Sequence, residues 1–267
     1  MFMGLVGSEM CIRDRLNYNN LTMSFWKAGI GGMIGFTIGG PIGGILGAII
    51  GSKLSDQKQP RPTNNEQHQV AFFTALFACF AKIAKADGKV TREEVDMVDQ
   101  FIRDRFKFPE DQRTFAIEIF NHAKDDQNSF GDYAHQLASI LSSNPSALIM
   151  FYELLFELSM ADGYLDPAEE QLLFEAISIF NIDPNLFEIN KKKFGGNITD
   201  AYAVLGVHEG MSFKEIKTAY QRKRKEFHPD TLLSKGLPEE LLDKAKDKFV
   251  EIQSAFEEIE NQKNKLN

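Results

Sequence analysis

The sequence is poor in the residue types that build metal centres, disulfide frameworks and nucleophilic active sites. It has two cysteines, Cys11 and Cys79, which are too few for a disulfide framework or a cysteine-rich zinc module. Its five histidines are scattered and form no HxxxH or HExxH pair. The motifs GxGxxG, GxxxxGKS/T and GxSxG are also absent. These absences argue against the common metalloproteases, nucleotide-binding enzymes and serine hydrolases, and we predict a protein that is not an enzyme and needs no cofactor.

The first 22 residues differ in character from the rest of the chain. Their string LVGSEMCIRDR resembles a translated sequencing adapter rather than a protein segment. We therefore expect residues 1–22 to be a non-native leader and the natural chain to begin at Met23, so the fold predictions start there.

An uncharged, glycine-rich run extends from Ala28 to Ser52. As a helix its 25 residues would span roughly 38 Å at ~1.5 Å per residue, enough to cross a hydrocarbon core of ~30 Å. Ten of them are glycine, each of which costs a helix in water about 1 kcal/mol relative to alanine, whereas lipid enforces a paired backbone. We predict a transmembrane anchor over residues 23–53 with a kink at Pro41; a flexible leader or a signal peptide is the alternative.

Six glycines of this run recur every four residues and form one small-residue face. Such a face lets two membrane helices approach closely, so we predict that the anchor associates into a homodimer. The face consists of Gly31, Gly35, Gly39, Gly43, Gly47 and Gly51.

The charges that flank the anchor predict its orientation. A polar, proline-containing linker over residues 54–66 follows the anchor. Lys53, Lys58 and Arg61 on this side outnumber the single Lys27 on the other. The positive-inside rule therefore places the C-terminal bulk of the chain in the cytoplasm.

Residues 67–190 are predicted to form an acidic, all-helical domain. Apolar residues recur at helical spacing, and no strand-like alternation persists. Residues 64–190 contain 9 Lys or Arg, 22 Asp or Glu and 15 Phe, which indicates an acidic surface around an aromatic core. The segment AKADGKVTREE at 84–94 recurs 75 residues later as SMADGYLDPAEE at 159–170, which predicts two helical hairpins related by pseudo-symmetry.

The repeated segments carry four carboxylates that admit two interpretations. Asp87, Glu94, Asp162 and Glu169 could be ligands of a hard divalent cation. Alternatively, the spacings Thr91-x-x-Glu94 and Asp166-x-x-Glu169 are capping boxes, which begin helices, and we favour this interpretation. The two ADG turns in a two-fold helical repeat resemble the TerB-like domain associated with tellurite resistance, and the resemblance implies that the acidic turns are candidate metal sites.

The C-terminal unit, residues 198–267, follows a short linker at 191–197. Its first piece, DAYAVLGV, predicts a short helix that ends at a glycine, and Ser212-x-x-Glu215 predicts the start of a second helix that ends before Pro229. This second helix is basic, with six cations and two anions from Phe213 to His228. A third helix, expected from about residue 239 to 260 after a loop, has eight anions and three cations, so we predict an antiparallel hairpin of opposite charges.

The three pieces DAYAVLGV, IKTAYQRKRKEFHPD and KFVEIQSAFEEI, in this order, resemble the J domain of DnaJ-type co-chaperones. The resemblance implies a surface that binds a DnaK-type ATPase chaperone, acting with GrpE, and stimulates its ATP hydrolysis. The implied binding residues are His228, Pro229, Asp230, Lys217, Tyr220, Arg222 and Arg224. The basic patch is one helix deep and has no interleaved aromatics, so we predict no binding to nucleic acid.

Lys223 is one departure from the J-domain pattern; Gln221 and Thr231, at positions that are often basic in the family, are another. Lys223 lies on the core-facing stripe of the basic helix, where the family usually has leucine. We expect its stem to cover the core while its ammonium group reaches water.

The sequence therefore predicts an all-α chain with a glycine-rich transmembrane helix, a TerB-like domain and a C-terminal J domain. This combination resembles the DjlA family of membrane-anchored DnaJ-like proteins. It implies a co-chaperone of the bacterial inner membrane with its soluble domains in the cytoplasm. An alternative hypothesis makes the TerB-like domain an envelope-stress or metal-responsive scaffold with an accessory J domain, and a third makes the chain a glycine-zipper membrane oligomer.

Overall fold

The computed structural model describes residues 38–51, 64–86, 88, 90–196 and 200–266. Within these ranges the chain is helical and contains no strand, which confirms the predicted all-α class. A 3₁₀ turn, Glu239–Leu241, leads into the last helix. The helices are α1 (Gly40–Gly51), α2 (Asn64–Ala84), α3 (Arg92–Phe106), α4 (Glu110–Asp125), α5 (Phe130–Ile140), α6 (Pro145–Ser159), α7 (Pro167–Phe180), α8 (Asn185–Phe194), α9 (Ala201–Leu205), α10 (Phe213–Glu226), α11 (Pro229–Ser234) and α12 (Leu242–Leu266).

The central domain is built around α2, which packs against α4, α5, α6 and α7. Every residue from Val70 to Ala81 is buried, because this helix is apolar on all sides and neighbours surround it. Its Phe73 ring stacks on Phe77 at 5.8 Å and meets Phe106 edge-on at 5.6 Å. The aromatic core predicted from the phenylalanine content is thus present along α2.

The internal repeat appears as two matching turns. Each copy ends an apolar helix in a turn whose glycine has a positive φ, 113° at Gly88 and 85° at Gly163. Each turn is followed by a capping box, in which Glu94 accepts from the Thr91 N–H at 2.6 Å and Glu169 accepts from the Asp166 N–H at 3.2 Å. The capping interpretation of these two glutamates is confirmed.

The repeat also brings its acidic side chains together. Glu94, Asp162 and Glu169 line a small cavity of about 90 Å³. Burial, followed by the charges of Asp162, Asp166 and Glu94, raises the pKa of Glu169 to about 7. In the described part of the chain no three His, Cys, Asp or Glu side chains lie close enough to hold a metal ion. Asp87 lies outside the described residues, and the metal hypothesis stays a prediction.

The described part of the glycine-rich run is a short helix on the central domain. The backbone has positive φ at Gly39 and Gly40, so α1 begins there instead of continuing through a kink at Pro41. Helix α1 packs against α2, α4 and α5. None of the helices in the described ranges has the length and apolarity to cross a membrane. The rest of the predicted anchor lies outside the described residues.

The C-terminal unit is the predicted antiparallel hairpin. The start of α10 lies against the middle of α12, where Phe213 and Tyr220 stack on Phe256 at 5.9 and 4.1 Å. The residues after α10 lie nearer the beginning of α12, where His228 meets Phe249 at 5.4 Å. Helix α9 packs against α12 and α10 and covers the seam of the hairpin.

Four predicted boundaries differ from the structure. The linker at 191–197 is helical as far as Phe194, because Lys191–Lys193 suit a helix C-terminus and Lys193 pairs with Glu251 at 2.8 Å. The loop after the basic helix contains α11, since Pro229 is tolerated at the first turn of a new helix. The last helix continues beyond residue 260 to Leu266. Helix α2 begins at Asn64, within the predicted first linker.

A buried ion pair joins the central domain to the C-terminal unit. Glu153, on α6, is 1 % exposed, and its Oε1 lies 2.7 Å from the Nζ of Lys248 on α12. Lys248 also contacts Glu251 at 3.3 Å. Burial alone would raise the pKa of Glu153, but the charges of Lys248, Lys193 and Lys244 outweigh it and lower that pKa. The carboxylate is therefore ionised inside the interface.

Further polar contacts surround this pair. One turn along α12, Lys244 pairs with Glu157 at 2.9 Å, and Arg105 of α3 contacts the same carboxylate. Elsewhere in the interface between the two domains, the buried Asn144 side chain donates to the carbonyl of Lys235 at 3.2 Å. These contacts fix the orientation of the C-terminal unit on the central domain.

The ion pair predicts an asymmetric response to mutation. Lys248→Met leaves the Glu153 carboxylate buried without its partner and should destabilise the chain by about 3–5 kcal/mol. The double variant Glu153→Leu/Lys248→Met removes both charges and should recover most of that loss. Urea unfolding of the three chains measures the free energies of unfolding.

The matched control for this series is Lys246→Met. Lys246 lies on the same helix, but 55 % of its side chain is exposed and its partner is the exposed Asp243. Its loss should change the free energy of unfolding by no more than about 0.5 kcal/mol. A double variant that is no more stable than Lys248→Met would show that the pair does not act as a unit.

The raised pKa of Glu169 predicts a pH-dependent stability. Its folded-state pKa is about 7 and its ordinary value is 4.5, so the folded chain binds more protons in this window and loses stability as the pH rises through it. Glu169→Gln keeps the capping hydrogen bond but not the charge, so its melting temperature should exceed that of the parent increasingly from pH 5 to pH 8.

The control is Glu215→Gln, a capping-box glutamate of α10 whose pKa is lowered by hydrogen bonds from Ser212. It should not gain stability at pH 8. If the melting temperatures of the parent and of Glu169→Gln differ by the same amount at every pH from 5 to 8, the role of Glu169 is refuted.

Candidate functional site

The turn between α10 and α11 presents His228, Pro229 and Asp230 at the surface. His228 caps α11, because its Nδ1 accepts a hydrogen bond from the Asp230 N–H at 3.2 Å. Pro229 occupies the first helical position, where its missing N–H costs nothing. The His228 side chain is 47 % exposed and that of Asp230 is 89 % exposed. The turn is thus ordered by this local hydrogen bond while both side chains remain available to a partner.

Phe249 of α12 supports this turn from below. Its ring meets the His228 imidazole edge-on at 5.4 Å. The Arg224 guanidinium lies over the same ring, 5.6 Å from its centre. The sequence analysis included Phe249 only within the segment KFVEIQSAFEEI. No local spacing pairs it with His228, because the contact forms only when α12 packs beside the turn.

The basic face of α10 continues the surface. Lys217, Arg222 and Arg224 are exposed, as the sequence predicted. Lys214 and Lys225 are exposed as well, so the cations of this helix form a continuous basic face beside His228. No acidic side chain of the central domain pairs with Lys217, Arg222 or Arg224 in the described structure. The arrangement suits binding to an acidic surface.

Tyr220 has a different environment from the other predicted binding residues. Its ring is stacked on Phe256 at 4.1 Å with an interplanar angle of 9°, and it packs against the apolar core. Tyr220 therefore connects α10 to α12, which positions the basic face.

Lys223 does not behave as the sequence predicted. Its ammonium group is largely buried and donates to the Val204 carbonyl at 2.8 Å, near the end of α9. Burial lowers its pKa to about 8. The prediction failed because the C-terminal carbonyls of α9 lie within reach of the side chain and need donors.

The glycine face of the predicted anchor is only partly described. Gly31 and Gly35 lie outside the described residues. Gly43 is buried against the central domain, whereas Gly39 and Gly47 are exposed. Gly51 ends α1.

The two sides of α12 separate the interface from the site. Lys244 and Lys248 point to the central domain, whereas Phe249 and Phe256 pack under α10 and His228. Because the docked side and the site side differ, the C-terminal unit is fixed to its neighbour without covering the exposed turn.

Three family models match the chain. Residues 23–62 match the model "Co-chaperone DjlA transmembrane domain", residues 73–192 match "Tellurite resistance protein TerB" and residues 200–267 match "DnaJ domain". These matches agree with the order of units predicted from the sequence. No solved structure matches the chain significantly.

Relatives match most of the chain. The chain is 31% identical over 224 residues to a Co-chaperone protein DjlA of Photobacterium profundum, covering 75% of this chain and 80% of the relative. It is 30% identical over 234 residues to the Co-chaperone protein DjlA of Salmonella typhimurium, covering 79% of this chain and 86% of that relative. It is 29% identical over 227 residues to the Co-chaperone protein DjlA of Vibrio cholerae, covering 74% of this chain and 80% of that relative. With these relatives and all three domain matches, the chain belongs to the DjlA family of co-chaperone proteins.

Proposed function

We propose that this protein is a membrane-anchored, non-catalytic co-chaperone that recruits a DnaK-type chaperone and stimulates its ATP hydrolysis. GrpE completes the cycle by exchanging the nucleotide on that chaperone. The observation that carries the proposal is the exposed turn of His228, Pro229 and Asp230 next to the basic face of α10. A rigid turn with an imidazole and a carboxylate offers directional contacts, and the cations beside it offer attraction over a longer range.

The electrostatics favour an acidic partner surface. The cations of α10 are exposed, so water and salt screen them, and their main effect is on the rate of encounter. The contacts of the turn act at short range after encounter. We therefore assign activation of the chaperone to the turn and the rate of its approach to the cations of α10.

The anchor places this activity at a membrane. Residues 23–62 match the transmembrane model of the family, and the excess of cations after the run favours a cytoplasmic location of both soluble domains. We place the protein in the inner membrane of a bacterial cell, as a homodimer in which the glycine faces of two spans pack together.

The test of the co-chaperone function is single-turnover ATP hydrolysis by a DnaK-type chaperone, with and without the full chain. Asp230→Asn removes the exposed charge of the turn but keeps its shape, so stimulation should be lost while helicity and melting temperature stay nearly unchanged. His228→Gln should have the same effect on stimulation.

The matched control is Glu257→Gln, which makes the same change of charge on α12. Glu257 is exposed and lies eight residues beyond Phe249, about 12 Å along the helix at ~1.5 Å per residue. The Glu257→Gln variant should stimulate ATP hydrolysis by the chaperone as the parent does. Full stimulation by Asp230→Asn and His228→Gln would contradict the proposed function.

The cations should act through the rate of association. Lys217→Glu/Arg222→Glu reverses two exposed charges of α10. The association rate with the chaperone, measured by stopped-flow fluorescence, should fall at low salt, and the deficit should shrink as salt rises because the screening length is ~10 Å at 0.1 M. A deficit that is independent of salt would assign these residues to short-range contacts instead.

A further inference from the structure

Helix α1 occupies an apolar groove of the central domain, defined here by α2, α4 and α5. Four large side chains of α1 enter this groove and are almost fully buried: Ile42, Ile45, Leu46 and Ile49, which are 0 %, 4 %, 0 % and 2 % exposed. Among the positions of α1 whose burial is described, the exposed ones are Gly40, Gly44, Gly47 and Ala48. Of these positions, the large residues therefore face the groove and the small ones face solvent, as suits a helix that is docked on a protein in water.

Gln136 of α5 recognises the first turn of this helix. Its Oε1 accepts from the Ile42 N–H at 2.9 Å, and its Nε2 donates to the Gly39 carbonyl at 2.7 Å. The N–H groups at the start of a helix have no partner within the helix, so a side chain from another helix supplies one here. Glycine is favoured at position 40, because the φ there is 59° and an added Cβ would lie 2.8 Å from the amide of Gln136 and displace it from these hydrogen bonds.

The same residues belong to the predicted membrane span. Helix α1 lies in the region that matches the transmembrane model, whereas α4 and α5 lie in the region that matches TerB. If α1 stayed docked, residues 28–39 would remain for the bilayer, and as a helix they would span roughly 18 Å of a core of ~30 Å. Insertion of the span therefore requires α1 to leave the groove.

We infer that α1 is an exchangeable occupant of this groove. Docking on the central domain and insertion into a bilayer are mutually exclusive positions of the same helix. In the inserted protein the groove is open, so the central domain has two states that depend on the anchor. This inference rests on the membrane anchoring of the proposed function, and it does not depend on the chaperone interaction.

Two cysteine reporters on α1 distinguish the positions. In the docked helix a water-soluble maleimide should label the Ala48→Cys variant, because residue 48 faces water, and should not label the buried Ile45→Cys variant. In lipid both should be protected, and in an undocked helix in water both should react. Each chain also carries Cys11→Ser, while Cys79 stays silent because burial raises the pKa of its thiol and covers it.

The full chain is synthesised cell-free, with or without vesicles of phosphatidylethanolamine and phosphatidylglycerol, and vesicle association is measured by flotation. Without vesicles we expect labelling of Ala48→Cys and protection of Ile45→Cys. With vesicles we expect the chain to float and the labelling of Ala48→Cys to be lost. Gly40→Ala, added to the Ile45→Cys chain without vesicles, should release α1 and permit labelling.

The matched control is Gly44→Ala, which adds the same methyl group where nothing lies within 4 Å and should leave the Ile45→Cys variant protected. Equal labelling at both reporters without vesicles would overturn docking, as would identical behaviour of the two glycine variants. A floating chain whose Ala48→Cys variant is still labelled would overturn the exchange. A chain that does not float would overturn both the anchoring and the exchange, while ATPase stimulation tests the co-chaperone function separately.

Discussion

The arrangement of the two folded domains depends on one buried charge. Glu153 lies within a run of apolar residues on α6 and is 1 % exposed, so it requires a cation that is equally buried. Lys248 supplies that cation from α12, 2.7 Å away. Removing one ion of such a pair leaves the other uncompensated, so a docked orientation that separated Glu153 from Lys248 would be strongly disfavoured. The short connection after α8 and the ion pair between Lys193 and Glu251 also restrict the orientation of the C-terminal unit.

Charge alone does not explain which side of the C-terminal unit faces the central domain. The central domain is acidic, with 22 anions against 9 cations over residues 64–190, and the basic face of α10 would also be attracted to it. The docked side instead presents Lys244 and Lys248 from a helix that is acidic overall. These two lysines are one helical turn apart and match Glu157 and Glu153 at close range. Short-range pairing inside the interface thus decides the orientation, and the more diffuse charge of α10 remains for a partner.

The local features of this fold could be predicted from the sequence, and the contacts between distant segments could not. The capping boxes of α3, α7 and α10 and the turn at His228 depend on residues within a few positions of each other, so spacing was sufficient to identify them. Lys223 was misjudged because its acceptor, the Val204 carbonyl, becomes available only when α9 packs beside α10. Glu153 had a visible signal, since it is one of two acids within the otherwise apolar FYELLFELS, but its partner Lys248 lies 95 residues away and is set by the docking itself.

The glycine-rich run shows how an environment determines a helix of weak intrinsic propensity. Five of the twelve residues of α1 are glycine, each costing about 1 kcal/mol relative to alanine, so this helix cannot persist alone in water. On the central domain its stability comes from burial of the isoleucine side chains and from the hydrogen bonds of Gln136. In a bilayer the same two requirements are met differently, since the acyl chains surround the side chains and the lack of water enforces backbone pairing. Both the groove of the central domain and the bilayer can stabilise α1, whereas its own sequence cannot keep it helical in water. Such a helix is suited to move between the groove and the bilayer.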